Sequence, residues 1–149
     1  MARDMFIGEY QHTIDGKGRI ALPAKFRKVL EERGVVITRG LDSCLFLYPE
    51  HEWAKEAEKL TKLPMAQAHS RAFARHILGG ASTSDVDAQG RILVPDYLRK
   101  YAGLGTRAVV VGLYNRIEIW SEVKWGDYRL NMEKHTDEIA EKLGELGLY

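Results

Sequence analysis

The chain has 149 residues, 45% of them hydrophobic, with 22 Lys plus Arg against 21 Asp plus Glu and a formal net charge of +1. This is the profile of a globular chain of one ordinary or two small domains; it excludes a large multidomain enzyme and a disordered chain, and the net charge names no partner. A single cysteine, Cys44, excludes an internal disulfide or a paired-cysteine metal knuckle and points to a reducing cytoplasm; no apolar run approaches the ~18 residues of a membrane span, and Met1-Ala2-Arg3-Asp4 lacks the form of a signal peptide.

In chain order, Ile7 to Ile14 predicts a strand and Asp15-Gly16-Lys17-Gly18 a hairpin turn. Ile20-Ala21-Leu22 predicts a second strand, ended by Pro23, which has no N–H for a ladder. Pro23 opens a short helix whose Phe26, Val29 and Leu30 share one face, and Gly34 is placed as its C-cap. Val35 to Thr38 and Cys44 to Tyr48 predict two apolar strands. Glu50 to Leu63 reads as a charged amphipathic helix broken by Pro64, and Met65 to Leu78 as a second helix stopped by Gly79-Gly80.

The pattern then returns. Asp15-Gly16-Lys17-Gly18-Arg19-Ile20-Ala21-Leu22-Pro23 recurs 72 residues on (15 to 87) as Asp87-Ala88-Gln89-Gly90-Arg91-Ile92-Leu93-Val94-Pro95. In the same register Arg27-Lys28 falls on Arg99-Lys100, Gly40-Leu41 on Gly112-Leu113, and Trp53 on Trp125, while Val109 to Val111 and Ile117 to Trp120 predict the matching strands. The chain is read as two β-turn-β-α-β-turn-β units, 6–53 and 78–125, with a helical connector over 54–77 and an acidic terminal helix within 126–149. The two units are expected to form one compact pseudo-twofold domain, since two copies are too few for a solenoid. From Asp127 to Leu146 acids outnumber bases six to three, with Leu130, Ile139, Leu143 and Leu146 among them.

An enzyme reading finds little support. The five histidines, His12, His51, His69, His76 and His135, show no HExxH spacing, and His69 and His76 come without a third ligand. Cys44 lies in an apolar strand that suits a buried thiol, and Gly16-Lys17-Gly18 is not followed by the spacing of a phosphate loop. No catalytic residue, metal, cofactor or small-molecule substrate is expected.

The Asp-x-x-Gly-Arg loop has its own mechanics. The Asp accepts backbone N–H groups further along the turn, the Gly takes positive φ, and the Arg begins a strand with its side chain aimed off the tip. Two readings stand: Arg19 and Arg91 pair with Asp15 and Asp87 to hold the fold, or they reach a ligand. Charge separates the loops. From Asp15 to Lys28 the chain carries Lys17, Arg19, Lys25, Arg27 and Lys28 against one acid, whereas Asp87 to Lys100 carries three bases against two acids. A basic β-hairpin is dimensioned for the major groove of DNA, where Arg bonds guanine and Lys neutralises phosphate.

The duplicated loop with Leu22-Pro23 and Arg27, the stretch Leu45 to Trp53, and Gly112-Leu113-Tyr114-Asn115-Arg116-Ile117-Glu118-Ile119-Trp120 together resemble the bacterial MraZ proteins over nearly the whole chain. That resemblance implies an α+β fold, a double-split, swapped-hairpin β-barrel in which two AbrB-like units of one chain form the pseudodimer. It implies a homo-oligomeric ring of about eight or more subunits. It also implies nucleoid association and control, with repression the expected sign, of the division and cell-wall gene cluster that begins with its own gene. The partner would be double-stranded DNA carrying promoter direct repeats, with no membrane involved. Carried over residue by residue, Arg19 is the base-contacting residue with Lys17 beside it. Asp15 and Gly18 shape the turn, as do Asp87 and Gly90 in the second copy. Lys25, Arg27 and Lys28 are phosphate contacts or a solvated helix face. Arg91 contacts DNA or stabilises the pseudodimer, and Ala88 and Gln89 in place of Gly16 and Lys17 weaken a DNA role there. The rival reading is an antitoxin-like interaction module that binds a partner protein through the acidic terminal helix.

Overall fold

Alternation along the central strands sets the layering. Leu45 and Leu47 face one core, whereas Cys44, Phe46 and Tyr48 face another; Ala108 and Val110 are likewise opposed to Val109 and Val111. Strands apolar on both faces must be covered on both, and they are. The computed structural model describes residues 5–32 and 34–149. In chain order the elements are β1 (Phe6–Thr13), β2 (Arg19–Ala21), α1 (Ala24–Glu31), β3 (Val35–Arg39), β4 (Leu45–Pro49), α2 (Glu50–Thr61) and α3 (Ala68–Ile77), then β5 (Ser82–Ser84), β6 (Arg91–Leu93), α4 (Asp96–Ala102), β7 (Arg107–Tyr114), β8 (Ile117–Ser121) and α5 (Glu122–Glu145). The mixed α+β class and the order of elements in both units follow the sequence reading.

Pairing runs between the units. The main sheet has the order β1-β7-β8-β4-β3-β5, and β2 and β6 form a separate two-stranded ribbon. β1 pairs with β7 from Phe6↔Tyr114 to Thr13↔Arg107, and β5 pairs with β3 from Val35↔Ser84 to Ile37↔Ser82. Two expectations are corrected here. The local β1–β2 hairpin is reduced to one bridge, Ile14↔Ile20, and β2 pairs instead with β6. With three residues before Pro23, β2 gains more from the cross-unit pairing, which seals Ile20 and Ile92 in the core at 0% and 1% exposure. The main sheet also does not close into a barrel: β1 and β5 are its two edges, and the short, polar β5 offers too few ladder groups to bridge to another strand.

One core lies beneath the ribbon and α1, where Phe26 packs edge-on against Phe6 and Tyr10 with ring centroids 5.1 and 5.3 Å apart. Gly34, at φ +79°, closes α1 with its N–H on the Leu30 carbonyl at 3.1 Å, as its predicted C-cap role requires. The opposite face is covered by α2 through Trp53 on Tyr48 and by α5 through Trp125 on Trp120. Cys44 is fully buried there. The connector breaks between α2 and α3 around Pro64, as read. α5 begins earlier than the acidic run, because Ser121 Oγ accepts the Lys124 N–H at 3.0 Å and caps the helix at Glu122.

Candidate functional site

The two Asp-x-x-Gly-Arg loops have one geometry built twice. Asp15 Oδ1 accepts the N–H of Lys17 and of Arg19, each at 2.9 Å, and Oδ2 accepts Arg19 Nε at 2.8 Å. Asp87 does the same with Gln89 and Arg91, at 2.9, 2.8 and 3.0 Å. In each turn the Gly N–H returns to the Asp carbonyl and the Asp N–H bonds the Arg carbonyl. Gly18 and Gly90 stand at φ +83° and +77°, which the close of the turn demands. The backbone N–H of Arg19 is the main cause that holds the Asp15 carboxyl down to about 2, and Asp87 is lowered by the equivalent bond from Arg91. A carboxyl in that state carries no proton near neutrality, so Asp15 is unsuited to general-acid chemistry.

The ribbon sets what the loops present. Its register pairs Arg19 with Leu93, Ile20 with Ile92 and Ala21 with Arg91. Ile20 and Ile92 point inward, so Arg19, Leu93, Ala21 and Arg91 share the outer face. The N–H groups of Leu22 and Val94 continue the ladder to Gly90 and Gly18, while the backbone groups of Arg19 and Arg91 turn to their own loops. The Arg19–Leu93 and Ala21–Arg91 rungs are therefore the non-hydrogen-bonded ones, whose side chains lie closest. Both arginine side chains are partly exposed, at 32% and 27%, and Arg91 Nη1 lies 3.6 Å from Asp15 Oδ2. One carboxylate thus touches both guanidiniums. The pairing of Arg19 and Arg91 with the loop aspartates is present, yet among the described residues it occupies only Nε of Arg19 and leaves both of its terminal nitrogens without an ion-pair partner.

The other predicted cations divide. Lys17, Lys25 and Lys28 are exposed and have no ion-pair partner among the described residues. Arg27 belongs to the fold: its Nε donates to the Leu22 carbonyl at 2.8 Å, and its guanidinium packs over Gly90 of the other unit. Arg99 mirrors it over Gly18, where an added Cβ would come within 2.5 Å of Arg99 Nη1. These crossed arginines clamp each loop with the opposite unit. The sequence reading placed Arg27 and Arg99 in one register and missed the clamp, because an offset does not say which unit a side chain crosses to. It also missed Leu93, 50% exposed between charged neighbours; the strand period that sends Ile92 inward was the signal for it.

The comparisons bear on both units. The family described as "MraZ protein, putative antitoxin-like" matches residues 5–76 and again 77–144. A protein of Desulfitobacterium hafniense strain Y51 named transcriptional regulator MraZ is 51% identical over 144 residues, spanning 97% of this chain and all of the relative. Relatives of the same name from Desulforamulus reducens and Halothermothrix orenii are each 49% identical, over 95% and 97% of this chain and 99% and 100% of their own. With its duplicated loop, its crossed units and full-length identity near one half, the chain belongs to the MraZ family.

Proposed function

We propose that this protein is a non-enzymatic transcription regulator that reads direct repeats in promoter DNA through the β2·β6 ribbon. Its target is the division and cell-wall cluster that begins with its own gene, with repression the sign of control. The observation that carries the reading is the Arg19 side chain, fixed at Nε by Asp15 on the outer face of a two-stranded ribbon, its terminal nitrogens making no hydrogen bond among the described residues. A ribbon of that width enters the major groove, and an arginine held in one rotamer loses little entropy when it bonds guanine O6 and N7. Lys17 at the loop tip, with Lys25 and Lys28 on α1, neutralises flanking phosphates; Arg91 adds a second guanidinium two rungs along on the same outer face. Arg27, bonded to the Leu22 carbonyl through Nε and packed over Gly90, supports the second loop through the clamp, a role that leaves a phosphate contact by its terminal nitrogens open.

A single ribbon offers few cationic contacts and hence modest affinity at physiological salt, so the reading requires a homo-oligomer that presents several ribbons to successive repeats. Direct repeats, spaced near one helical turn of roughly 10 base pairs, need ribbons pointing the same way, as in a head-to-tail ring of about eight or more subunits. α5 and the residues that follow it support such assembly: from Glu133 to Tyr149 every residue is exposed, Ile139 and Leu143 on the helix and Leu146 just past its end among them. The double-split, swapped-hairpin arrangement of AbrB-like units is the ancestry in which the cross-unit pairing makes sense. The cytoplasm, on the nucleoid, is the place of action.

The test is an electrophoretic shift on DNA from upstream of the gene, with repeats intact or scrambled, at two salt concentrations. Arg19→Ala is expected to abolish discrimination between the two. Lys28→Ala is expected to weaken binding to both alike and to lower the salt slope by about 0.9. Equal losses in both variants would refute the division of roles, and wild-type protein that does not discriminate would move the function to protein partners of α5.

A further inference from the structure

We propose that Leu93 is a second specificity residue, one that reads the 5-methyl group of a thymine beside the guanine bonded by Arg19; the inference rests on the ribbon's being the DNA reader. Leu93 stands directly opposite Arg19 on a non-hydrogen-bonded rung of the outer face. Half of its surface is open to solvent, although Arg19, Arg91, Asp15 and Asp87 surround the ribbon. The fold does not require a leucine there. Burial in this ribbon is done by Ile20 and Ile92 on the inner face, and the position that the internal repeat makes equivalent to Leu93 is Ala21. The two rungs are therefore unlike: one pairs an arginine with a long apolar side chain, the other pairs an arginine with a methyl group.

In the major groove the base edges offer hydrogen-bonding groups and a single apolar one, the thymine methyl. An exposed leucine carried in on the ribbon face meets either that methyl or polar edges whose hydration it strips without return. Side chains on such a rung start from Cα atoms about 4.5 Å apart, and successive base pairs stack about 3.4 Å apart, so Arg19 and Leu93 reach neighbouring base pairs. The ribbon then selects a guanine next to a thymine on its Arg19 rung. On the Arg91 rung Ala21 reaches less far, and selection there falls on the guanine alone.

The experiment uses the full chain and the upstream repeats synthesised with deoxyuridine in place of thymidine, which removes the methyl and leaves every hydrogen-bonding group. Wild-type protein is expected to bind the deoxyuridine repeats about fourfold more weakly, the worth of one buried methyl. Leu93→Ala is expected to bind both DNAs equally while still rejecting scrambled repeats, and Leu93→Met is expected to keep the preference for thymidine. Thermal melting of the variants confirms their fold. Wild-type protein that prefers intact to scrambled repeats yet does not distinguish thymidine from deoxyuridine overturns the Leu93 assignment alone, as does Leu93→Ala that keeps the thymidine preference. Failure to reject scrambled repeats overturns the ribbon reading itself.

Discussion

Replacing Gly18 by alanine probes the loop and the clamp together, and Gly16 in the same turn supplies the control. Gly18 sits at φ +83°, a conformation that costs an L-residue about 1–2 kcal/mol. Its new Cβ would also meet the Arg99 guanidinium at 2.5 Å and force that group to give way. The guanidinium is the mobile end of a long side chain, so its displacement adds less than the backbone strain, and the total is about 1–3 kcal/mol. For a chain of this size that lowers Tm by roughly 2–12 °C. Gly16 has no positive φ, and an added Cβ would meet nothing within 4 Å among the described residues. Gly16→Ala should be neutral or stabilising by up to about 1 kcal/mol, since it only restricts the unfolded chain. Thermal unfolding followed by circular dichroism reads both variants, and Gly18→Ala in an Arg99→Ala background isolates the clash, so the loss there should fall to the backbone part alone. Equal melting shifts for Gly18→Ala and Gly16→Ala would refute the account of the turn.

Other outcomes follow from the site chemistry. Asp15→Asn keeps an oxygen for the two backbone N–H groups but removes the charge that holds Arg19 and Arg91, so discrimination between intact and scrambled repeats should fall at least tenfold with the circular dichroism spectrum unchanged. The Asp15 carboxyl, held at about 2 in the fold, contributes stability that is fully present above its unfolded value of about 4 and is lost as pH falls toward 2. Thermal stability measured from pH 8 to 5 should therefore show no loss from this loop, and a loop-dependent decline in that window would contradict the assignment. Burial is the main cause that pushes the Cys44 thiol far up, so a thiol reagent at pH 8 should leave native protein unmodified and label it on unfolding; rapid labelling of the native state would count against the burial.

The residues legible in the sequence were those whose role is local. The Asp-x-x-Gly-Arg turn could be drawn from residue chemistry because its hydrogen bonds span at most four positions. The amphipathic spacing of Phe26 and Leu30 gave α1, Pro64 gave the break between α2 and α3, and the 72-residue repeat gave two equivalent units. α5 was placed late because its start depends on one Ser121 hydroxyl rather than on a hydrophobic period.

Partner choice was not legible, because strand pairing is decided by which buried surfaces match across the whole chain. A hairpin between β1 and β2 was the nearest pairing in sequence, yet Ile20 finds Ile92 and β1 finds β7, where eight residues of ladder are available. That crossing turns Arg27 and Arg99 into clamps on the opposite loops, puts Asp15 against the arginines of both units, and brings Leu93 beside Arg19. By itself the sequence determined the turn, the helices, the repeat and the charge that singles out the first loop. Only the tertiary structure decided which of those charges faces solvent and which is used up in holding two units together, because a side chain's partner is set by the strand that pairing brings beside it.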